Sequence, residues 1–598
     1  MKHVTWKQLL AAAIAVCLLA LSGCAGITSG ISGQTTTGKG TEGQEPSVTT
    51  SERVTGTAAS TAADAEDDKV DITGDFLIET EDGNVLQSGN VWTISSAGEY
   101  TLTGVLSDGQ VLVSAGEDDE VTLDLSGVSI SCSTDSPIYV ASAGKVKIKA
   151  VSDTYNEIAD TRPLKTDEND TTGSAAIYAL CDLNLVGSGS LVVTASYNNG
   201  VHTKDDLKIK NLTLKVTAPN HALKGNDSIT VESGELLLIS TAGDGVKTDN
   251  SDVSSKGNQR GTVTVSGGTV TIYSACDGID AAYDVLISGD STNLLIRTHK
   301  YSSYTVSSML TTQSISGSGM GPGRYSSSSS VKSAESAKGI KADNAVTVDG
   351  GIITITCMDD GVHANSDVSL ENGETPLGNV TVNGGSLTVT AADDGLHADG
   401  DLLITGGYVE VTEAHEGLEG HYITVEGGEI HVYATDDGVN ATSISSGYGS
   451  SSNGLITVSG GRMFVEVGGN DVDGIDANGS YVQTGGFVLV SNPNSDSSGN
   501  MSAVDADGTV SVTGGVIVAL GTVPGSGGMG GRGWNPFGGG GVGSSSLPTG
   551  YVTFSGTLSA GSHTFTYGSA SESFTLRKAV SGGWIWASGI SSSNYTLK

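Results

Sequence analysis

The chain is poor in proline, in cysteine and in basic residues. Its 598 residues include 10 Pro and 6 Cys, and 29 Lys and Arg stand against 67 Asp and Glu, for a formal net charge of −38. This balance disfavours nucleic acid or anionic lipid as a direct partner through charge, and it favours divalent cations. No two cysteines have CxxC spacing, so the sequence offers no compact cysteine metal site.

What the chain does contain is typical of short strands joined by tight turns. It has 86 Gly and 37% hydrophobic residues, and it is rich in Val, Ile, Thr and Ser. This composition predicts an all-β protein. A length near 600 residues would suggest several domains unless the chain is a repeat array.

The N-terminus has the pattern of a lipoprotein signal. Lys2 and Lys7 precede an apolar run from Leu9 to Leu21, and the run ends just before Cys24. The run is short for a membrane span, and Leu-Ser-Gly-Cys resembles a lipobox in which Cys24 is lipidated. An uncleaved N-terminal anchor is the alternative. We therefore expect an extracellular protein held at the outer face of the bacterial cytoplasmic membrane only by a lipid on Cys24.

Composition divides the rest of the chain. Residues 25–69 are rich in Ser, Thr, Gly and Ala and are predicted to form a flexible tether. The expected segments are a signal at 1–24, the tether at 25–69, a repeat body at 70–520 with an insertion at 301–337, a Gly-rich insertion at 521–549 and a C-terminal β cap at 550–598.

The repeat body carries a short motif, Asp-Gly-(Val/Ile/Leu)-x-Ala-(Asp/Asn). Its glycine stands at Gly200, Gly245, Gly278, Gly339, Gly361, Gly395, Gly417, Gly438 and Gly474, with degenerate copies at Ala222 and Ala503. The period is about 22 residues, and longer gaps indicate insertions into turns.

Within a repeat, strand patterns surround a glycine corner. Val382 precedes Asn-Gly-Gly, and then Leu387 and Val389 alternate with polar residues. Three such strands and three turns fill about 22 residues, the content of one triangular coil. The sequence thus predicts a right-handed single-stranded parallel β-helix with capping strands at both ends.

The motif also predicts where the charges lie. Its hydrophobic residues should point inward, so the residue between them points outward, and neighbouring coils should lie about 4.8 Å apart. The expected outward row is His202, Lys224, Lys247, Asp280, Lys341, His363, His397, Glu419, Asn440, Asp476 and Asp505. Beside it runs a row of corner carboxylates, Asp244, Asp277, Asp360, Asp394, Glu416, Asp437 and Asp473.

Carboxylates at this spacing repel one another unless a cation lies between them, and Ca²⁺ takes such oxygen ligands. The predicted calcium ligands are Asp473, Asp476, Asp505 and Asp507, then Asp277 and Asp280, then Asp394 and Asp399. The alternative is ordinary turn chemistry, because Asp next to Gly often bonds to nearby backbone. The histidines of the row also have an alternative as a solvated column.

At this point the chain resembles the calcium-binding, right-handed parallel β-helix carbohydrate-binding proteins of clostridia and their relatives. The resemblance covers nearly everything from about residue 70. It depends on the segments 91–102 (VWTISSAGEYTL) and 136–140 (SPIYV), on the repeated Asp-Asp-Gly-(Val/Leu)-His-Ala and on the Gly-rich insertion near Trp534. It implies a pectate-lyase-like fold, bound Ca²⁺, and adhesion to cellulose or pectic polysaccharide rather than cleavage.

Enzymatic cleavage by a lyase or a hydrolase and a structural role both stay open. A lyase of the β-helix type needs Ca²⁺ and a basic side chain, and Lys247 or Lys341 could be that base, although a salt-bridge ladder explains both. A hydrolase needs one pair of carboxylates, whereas the Asp-Asp pairs here recur coil after coil. The remaining alternative is a surface structural or adhesive protein with a protein partner.

Several residues are candidates for contact with polysaccharide. Lysines could contact an acidic ligand such as pectate, and aromatic rings could stack on sugar rings. We expect the protein to be a monomer. The candidates are Lys204, Lys224, Lys247, Trp534, Trp584 and Trp586. For Trp584 and Trp586 an aromatic end cap is the default, and an outward-facing sugar platform is the alternative.

Overall fold

The computed structural model describes residues 71–81, 83–167, 169–298, 336–442, 453–469, 472–496, 501–523 and 547–598. These residues form strands and turns and no helix. Accordingly, no described helix is long and apolar enough to cross a membrane. Cys24, the tether and Trp534 lie outside the described residues. The compact unit that contains the repeats runs from Ile72 to Lys598.

The strands are short, and most have three to seven residues. The first are β1 Leu77–Glu79, β2 Val85–Ser88, β3 Val91–Ile94, β4 Gly98–Leu106, β5 Gln110–Ser114, β6 Glu120–Cys132, β7 Ile138–Ser142, β8 Lys145–Ala150, β9 Tyr155–Asp160, β10 Ala175–Ala179, β11 Asp182–Gly187 and β12 Ser190–Ala195. The next are β13 Asn199–Thr203, β14 Asp206–Lys210, β15 Leu212–Ala218, β16 Leu223–Gly225, β17 Ser228–Val231, β18 Gly234–Ser240, β19 Val246–Lys247, β20 Thr262–Val265, β21 Gly268–Ser274, β22 Ile279–Ala281, β23 Asp284–Ile287 and β24 Thr292–Thr298.

The second half continues the pattern and ends in the cap strands. It begins with β25 Ile340–Ala342, β26 Ala345–Val348, β27 Ile352–Thr356, β28 Val362–Ala364, β29 Asn379–Val382, β30 Ser386–Thr390, β31 Leu396–Ala398, β32 Asp401–Ile404, β33 Tyr408–Ala414, β34 Leu418–Gly420, β35 Tyr422–Val425 and β36 Glu429–Ala434. It ends with β37 Val439–Ala441, β38 Gly454–Val458, β39 Arg462–Val467, β40 Ile475–Ala477, β41 Gly479–Gln483, β42 Phe487–Ser491, β43 Val504–Ala506, β44 Val510–Val512, β45 Val516–Leu520, β46 Val552–Leu558, β47 Gly561–Tyr567, β48 Ala570–Leu576, β49 Val580–Ala587 and β50 Tyr595–Leu597.

The strands stack into three faces, which confirms the predicted parallel β-helix. Face 1 is a 16-stranded sheet in which every third strand from β7 to β43 takes part, after β2, β3 and β5. Face 2 runs from β8 through β11 to β44, and face 3 runs from β9 through β12 to β45; β4 and β6 bend across both. Of the 16 strands of face 1, all but β2 are parallel, so its fourteen parallel steps extend about 65 Å.

The core is a set of ladders of apolar side chains. On face 2, Val346, Val380, Leu402, Ile423 and Ile456 pair in register on successive coils, and all are fully buried. No single coil could enclose such a ladder, so each coil depends on its neighbours.

Glycine is required at two corners of each coil. A Cβ on Gly361 of the motif would lie 2.3 Å from Cγ1 of Val389 and 2.5 Å from the carbonyl oxygen of Gly395 in the next coil. At the Asn-Gly-Gly corner, Gly385 has a φ of +80°, a conformation that L residues rarely adopt. The repeated glycines of the sequence are therefore where coils approach closely or turn sharply.

The insertions flank face 1. Residues 248–261 and 365–378 follow strands β19 and β28 of this face, and residues 161–174 precede β10. The backbone N–H of Glu371 donates to Ser251 Oγ at 2.8 Å, and Asn372 Nδ2 donates to Gln259 Oε1 at 3.1 Å. The longer loops thus contact one another beside face 1.

Both ends are closed by antiparallel strands. At the N-terminal end β1 pairs with β4 and β2 pairs with β3. At the C-terminal end β49 pairs with β45, the last strand of face 3, and with β46. Around these strands lies a second apolar cluster that includes Phe464, Phe565 and Phe574, so the cap also covers the outside of face 3.

The cysteines of the β-helix form no disulfide among the described residues. Cys132, Cys181 and Cys357 are buried and Cys276 is partly exposed, and all four are free thiols. Three of the four cysteines are thus small buried side chains of the β-helix.

Candidate functional site

A single file of outward side chains runs along face 1. All eleven residues of the predicted outward row pair in register from His202 to Asp505. The file continues toward the N-terminus through Tyr178 and Tyr139. We call it the face 1 column; the predicted row is confirmed, and its chemistry changes along its length.

The column begins with aromatic rings and a neutral histidine. The rings of Tyr139 and Tyr178 stack at 5.5 Å. His202 lies next to them, with Nδ1 2.5 Å from Ser174 Oγ and Nε2 3.0 Å from Asn226 Oδ1. Burial lowers the pKa of His202 to about 3, so its imidazole is neutral at physiological pH.

Lysines and aspartates fill the next part, which we call the Lys–Asp ladder. Lys224 pairs with Asp249 at 2.5 Å. Asp280 lies between Lys247, with which it forms a close ion pair, and Lys341, at 3.2 Å. The preferred interpretation of these lysines as a salt-bridge ladder is therefore confirmed.

The ladder bears on the prediction that Asp277 and Asp280 bind calcium, which stays a prediction. The two ammonium groups already neutralise Asp280, and a further cation there would be repelled. One oxygen of Asp277 has backbone and side-chain partners, because its Oδ1 accepts the Lys338 backbone N–H at 2.7 Å and the Ser336 hydroxyl at 2.7 Å.

The corner carboxylates have a backbone role. In four of them, one carboxylate oxygen accepts the backbone N–H of the equivalent residue on the next coil, at 2.6–3.3 Å. Asp244 accepts from Asp277, Asp360 from Asp394, Asp394 from Glu416 and Asp437 from Asp473. These bonds satisfy backbone groups that the turn would leave unpaired. Turn chemistry thus accounts for one oxygen of each carboxylate and leaves the second oxygen for other contacts.

Two stacked histidines follow in the column. The rings of His363 and His397 are 4.3 Å apart and nearly parallel, at 7°. Asp360 Oδ2 lies 2.7 Å from His363 Nδ1, and Asp394 Oδ2 lies 2.9 Å from His397 Nδ1. Asp394 and Asp399, predicted as calcium ligands, thus contact imidazoles. We call these five residues and Glu419 the His–carboxylate cluster, because Glu419 Oε2 is 3.1 Å from His397 Nδ1.

The column ends in an acidic segment, which we define as Asp437, Asn440, Asp473, Asp476 and Asp505. Asn440, Asp476 and Asp505 are successive members of the column. Burial, followed by repulsion from neighbouring carboxylates, raises the pKa of Asp473 to about 8 and that of Asp476 to about 7. Within the described residues no lysine or arginine pairs with these four aspartates.

One oxygen in this segment lacks a hydrogen-bond partner. Asn440 is 9% exposed, and its Nδ2 donates to Glu416 Oε2 at 2.8 Å. Its Oδ1 is buried and has no partner in the described part of the chain. A buried acceptor in this state costs free energy unless a cation or a donor satisfies it.

The predicted sugar contacts have different outcomes. Trp584 and Trp586 are only 2% and 9% exposed and pack on the last coil, so the end-cap interpretation is confirmed and the sugar platform is wrong. Both point inward because β49 continues the stacking of β45. Lys204 is exposed and makes no ion pair with the described residues, whereas Lys224 and Lys247 belong to the ladder.

Face 2 carries a lysine patch that the sequence-based interpretation missed. Its members are the outward residues Lys145, Lys147, Lys149, Lys208 and Lys210, and they lie on strands β8 and β14, on either side of β11. Asp182, Asp124 and Glu232 pair with four of them, while Lys147 stands between Thr122 and Asn184. The signal in the sequence was the alternation of lysine with Val or Ile at 145–149 and 208–210.

Comparisons with known proteins point to carbohydrate binding. Residues 88–381 match the model of a family described as carbohydrate-binding domain-containing protein. A protein of that description from Acetivibrio thermocellus is 40% identical over 125 residues, which are 20% of this chain and 44% of the relative. The chain thus spans less than half the length of this curated relative.

A solved structure is also similar in sequence. It is described as a polysaccharide lyase-like protein from C. thermocellum, in a gadolinium derivative. It is 33% identical, with 37% of this chain and 91% of that chain covered and a TM-score of 0.32. The part of this chain that matches the family includes Tyr139, Tyr178, the face 2 lysine patch and the Lys–Asp ladder.

Proposed function

We propose that the protein is a cell-surface lipoprotein that binds plant-type polysaccharide, cellulose or pectic polygalacturonate, in a calcium-dependent manner. The observation that carries the calcium part is the acidic segment with its unpartnered Asn440 Oδ1. The match of residues 88–381 to carbohydrate-binding proteins supports the ligand class.

The donor set of the acidic segment fits Ca²⁺. Carboxylate and amide oxygens are the ligands that Ca²⁺ takes, and Asp437, Asp473, Asp476 and Asp505 supply the charge. A cation there would satisfy Asn440 Oδ1 and relieve the repulsion among the aspartates. Asp507, next to Asp505, is a further member of the set. The segment is where we place the calcium-binding residues.

A bound Ca²⁺ would also reduce the repulsion between this acidic protein and an acidic polysaccharide. A chain with a formal charge of −38 repels polygalacturonate unless a cation bridges the two or a local basic surface contacts it. The face 2 lysine patch offers such a surface at Lys147, whose register neighbours Thr122 and Asn184 are uncharged. Binding of a neutral glucan would require neither.

The contacts of Lys247 and Lys341 bear on the lyase alternative. Asp280 raises the pKa of both lysines, so each amine is protonated at neutral pH and cannot remove a proton. Adhesion is therefore the function that we favour over cleavage by these two side chains.

The test is retention of the purified protein on insoluble cellulose and on polygalacturonate, each with Ca²⁺ and with a chelator. Ultraviolet absorbance of unsaturated sugar products is followed in the same samples. We expect retention that the chelator abolishes, without product. Accumulating product would make the protein a lyase, and no retention on either polymer would favour a surface structural protein with a protein partner.

A matched pair of variants assigns the calcium effect to the acidic segment. Asp476→Asn removes one column carboxylate, and Asp290→Asn removes an exposed carboxylate on a turn far from the column. Only Asp476→Asn should weaken Ca²⁺ binding in a calorimetric titration. A Cys24→Ala variant should be released into the medium, which tests the lipid anchor.

A further inference from the structure

The His–carboxylate cluster holds two imidazoles in fixed orientations. Asp360 and Asp394 each use one oxygen for the backbone of the next coil and the other for Nδ1 of a histidine. The second oxygen of Asp360 also forms a close ion pair with the Lys338 ammonium. Since a carboxylate accepts, each Nδ1 carries the proton that is donated. The other ring nitrogen, Nε2, is thereby directed away from the corner.

Both Nε2 atoms converge on one carboxylate oxygen. Asp399 Oδ1 lies 3.2 Å from His363 Nε2 and 3.4 Å from His397 Nε2. The second oxygen of Asp399 accepts the backbone N–H of Ser366 at 2.6 Å, which fixes the carboxylate. In the ion-free protein each Nε2 donates its proton toward Asp399, and a metal ion at this common point would take the place of those two protons.

We propose that His363 Nε2, His397 Nε2 and Asp399 bind one borderline transition-metal ion, with Zn²⁺ as the representative. The two Asp–His pairs behind them match the arrangement in which a metal-bound histidine donates its other N–H to a carboxylate. Three protein ligands leave a fourth tetrahedral position open. The side chains of the two histidines and of Asp399 are 14–23% exposed, so an ion can reach them from solvent.

The donor atoms distinguish this site from the acidic segment. Imidazole nitrogen suits Zn²⁺, Cu²⁺ and Ni²⁺, whereas Ca²⁺ takes oxygen ligands. The acidic segment, by contrast, contains no histidine. The proposal therefore goes beyond the calcium-dependent binding proposed above and does not depend on it.

The direct test is a calorimetric titration of the purified full-length mature protein with Zn²⁺ in the presence of a large excess of Ca²⁺. Co²⁺ is used in parallel, because its visible spectrum reports nitrogen ligands and tetrahedral geometry. We expect one Zn²⁺ per chain that excess Ca²⁺ does not displace, and a tetrahedral Co²⁺ spectrum. Absence of Zn²⁺ binding under excess Ca²⁺, or an octahedral all-oxygen Co²⁺ spectrum, would overturn the proposal.

Variants locate the ion. His397→Gln removes a ligand and should weaken Zn²⁺ binding by more than about 100-fold, while Asp394→Asn removes an outer partner and should weaken it by about 10–100-fold. His563→Gln in the cap is the matched control and should bind as the unchanged protein does. If His397→Gln does not fold, Asp394→Asn and the Co²⁺ spectrum decide the matter. Unchanged affinity in Asp394→Asn would contradict the proposed arrangement.

Discussion

The Lys–Asp ladder and the acidic segment both lie along the face 1 column, yet their charges differ. Opposite charges neutralise one another in the ladder, whereas the only charged groups that meet in the acidic segment are carboxylates. In the ladder, Asp280 is held by Lys247 and Lys341, and the charges are neutralised within the chain. In the acidic segment, Asp476 and Asp505 occupy equivalent positions, and their neighbours are other carboxylates. The backbone geometry is the same, so the difference lies in the side chains alone.

This difference shows how one repeat geometry can carry different side-chain chemistry. The parallel register places column residues on adjacent coils about 4.8 Å apart, whatever their type. A pair of opposite charges at that distance neutralises itself, whereas two carboxylates at that distance repel each other and would be stabilised by a cation between them. The chemistry of each part of the column is therefore set by one residue per coil.

The largest effect is expected from breaking the ladder at its centre. Asp280→Asn leaves Lys247 without its ion-pair partner and Lys341 with only Asp343, at 3.6 Å, and it should destabilise the neighbouring coils by about 3–5 kcal/mol. Hydrogen exchange of strands β19 to β25 measures this locally, which matters because a solenoid can open in parts. Asp249→Asn, on the more exposed pair with Lys224, is the control and should cost less than about 1 kcal/mol.

The next prediction concerns His202, the column histidine whose hydrogen-bond partners are neutral. His202 has a folded-state pKa of about 3 against an ordinary value of 6.5, so below pH 6.5 only the unfolded chain takes up this proton. Its contribution to stability is therefore lost as the pH falls from about 6.5 toward 3, by about 1.4 kcal/mol per pH unit. Denaturant midpoints across this range should fall less steeply for His202→Asn than for the unchanged protein. Identical slopes would show that His202 is not buried in its neutral form.

A smaller effect of the opposite sign is expected in the acidic segment. In a chelator, Asp476→Asn removes a repelling charge and should stabilise the protein by about 0.5–1 kcal/mol. With Ca²⁺ the same variant should gain less stability from the ion than the unchanged protein. Thermal unfolding with and without Ca²⁺ measures both effects, and destabilisation in the chelator would argue against repulsion in this segment.

The smallest effect concerns the lysine patch of face 2. Lys147→Ala should weaken retention on polygalacturonate by about two- to fivefold, because an exposed charge contributes about 0.5–1 kcal/mol. Retention on cellulose should not change, since that polymer is neutral. Lys598→Ala, at the exposed C-terminal end, is the matched substitution and should behave as the unchanged protein on both polymers.

The sequence was sufficient to predict the fold and the face 1 column. The glycine of the motif sets the register because a Cβ at Gly361 would collide with the next coil, and so the alignment survives a gap of 34 residues to Gly395. The same reasoning predicted which residues would lie next to His397 and Asp476. These predictions depend only on period and alternation, which a sequence displays directly.

The partners of the column residues could not be predicted in the same way. Asp249, which pairs with Lys224, belongs to an inserted loop whose path the repeat does not determine. Trp584 and Trp586 point inward because β49 runs antiparallel to β45, a pairing that has no counterpart in the repeats. The convergence of His363 and His397 on Asp399 required the rotamers of all three side chains.

The closed ends have a consequence for how such a protein can change its size. Because β1 and β2 pair with the first strands and the C-terminal cap reaches back along face 3 to Thr412, the number of coils between these two regions is not constrained by either end. Duplication of one unit of about 22 residues would lengthen the face by about 4.8 Å without altering a cap. Gene duplication could thus adjust the reach of the surface one increment at a time, while each added unit brings one new column residue of its own.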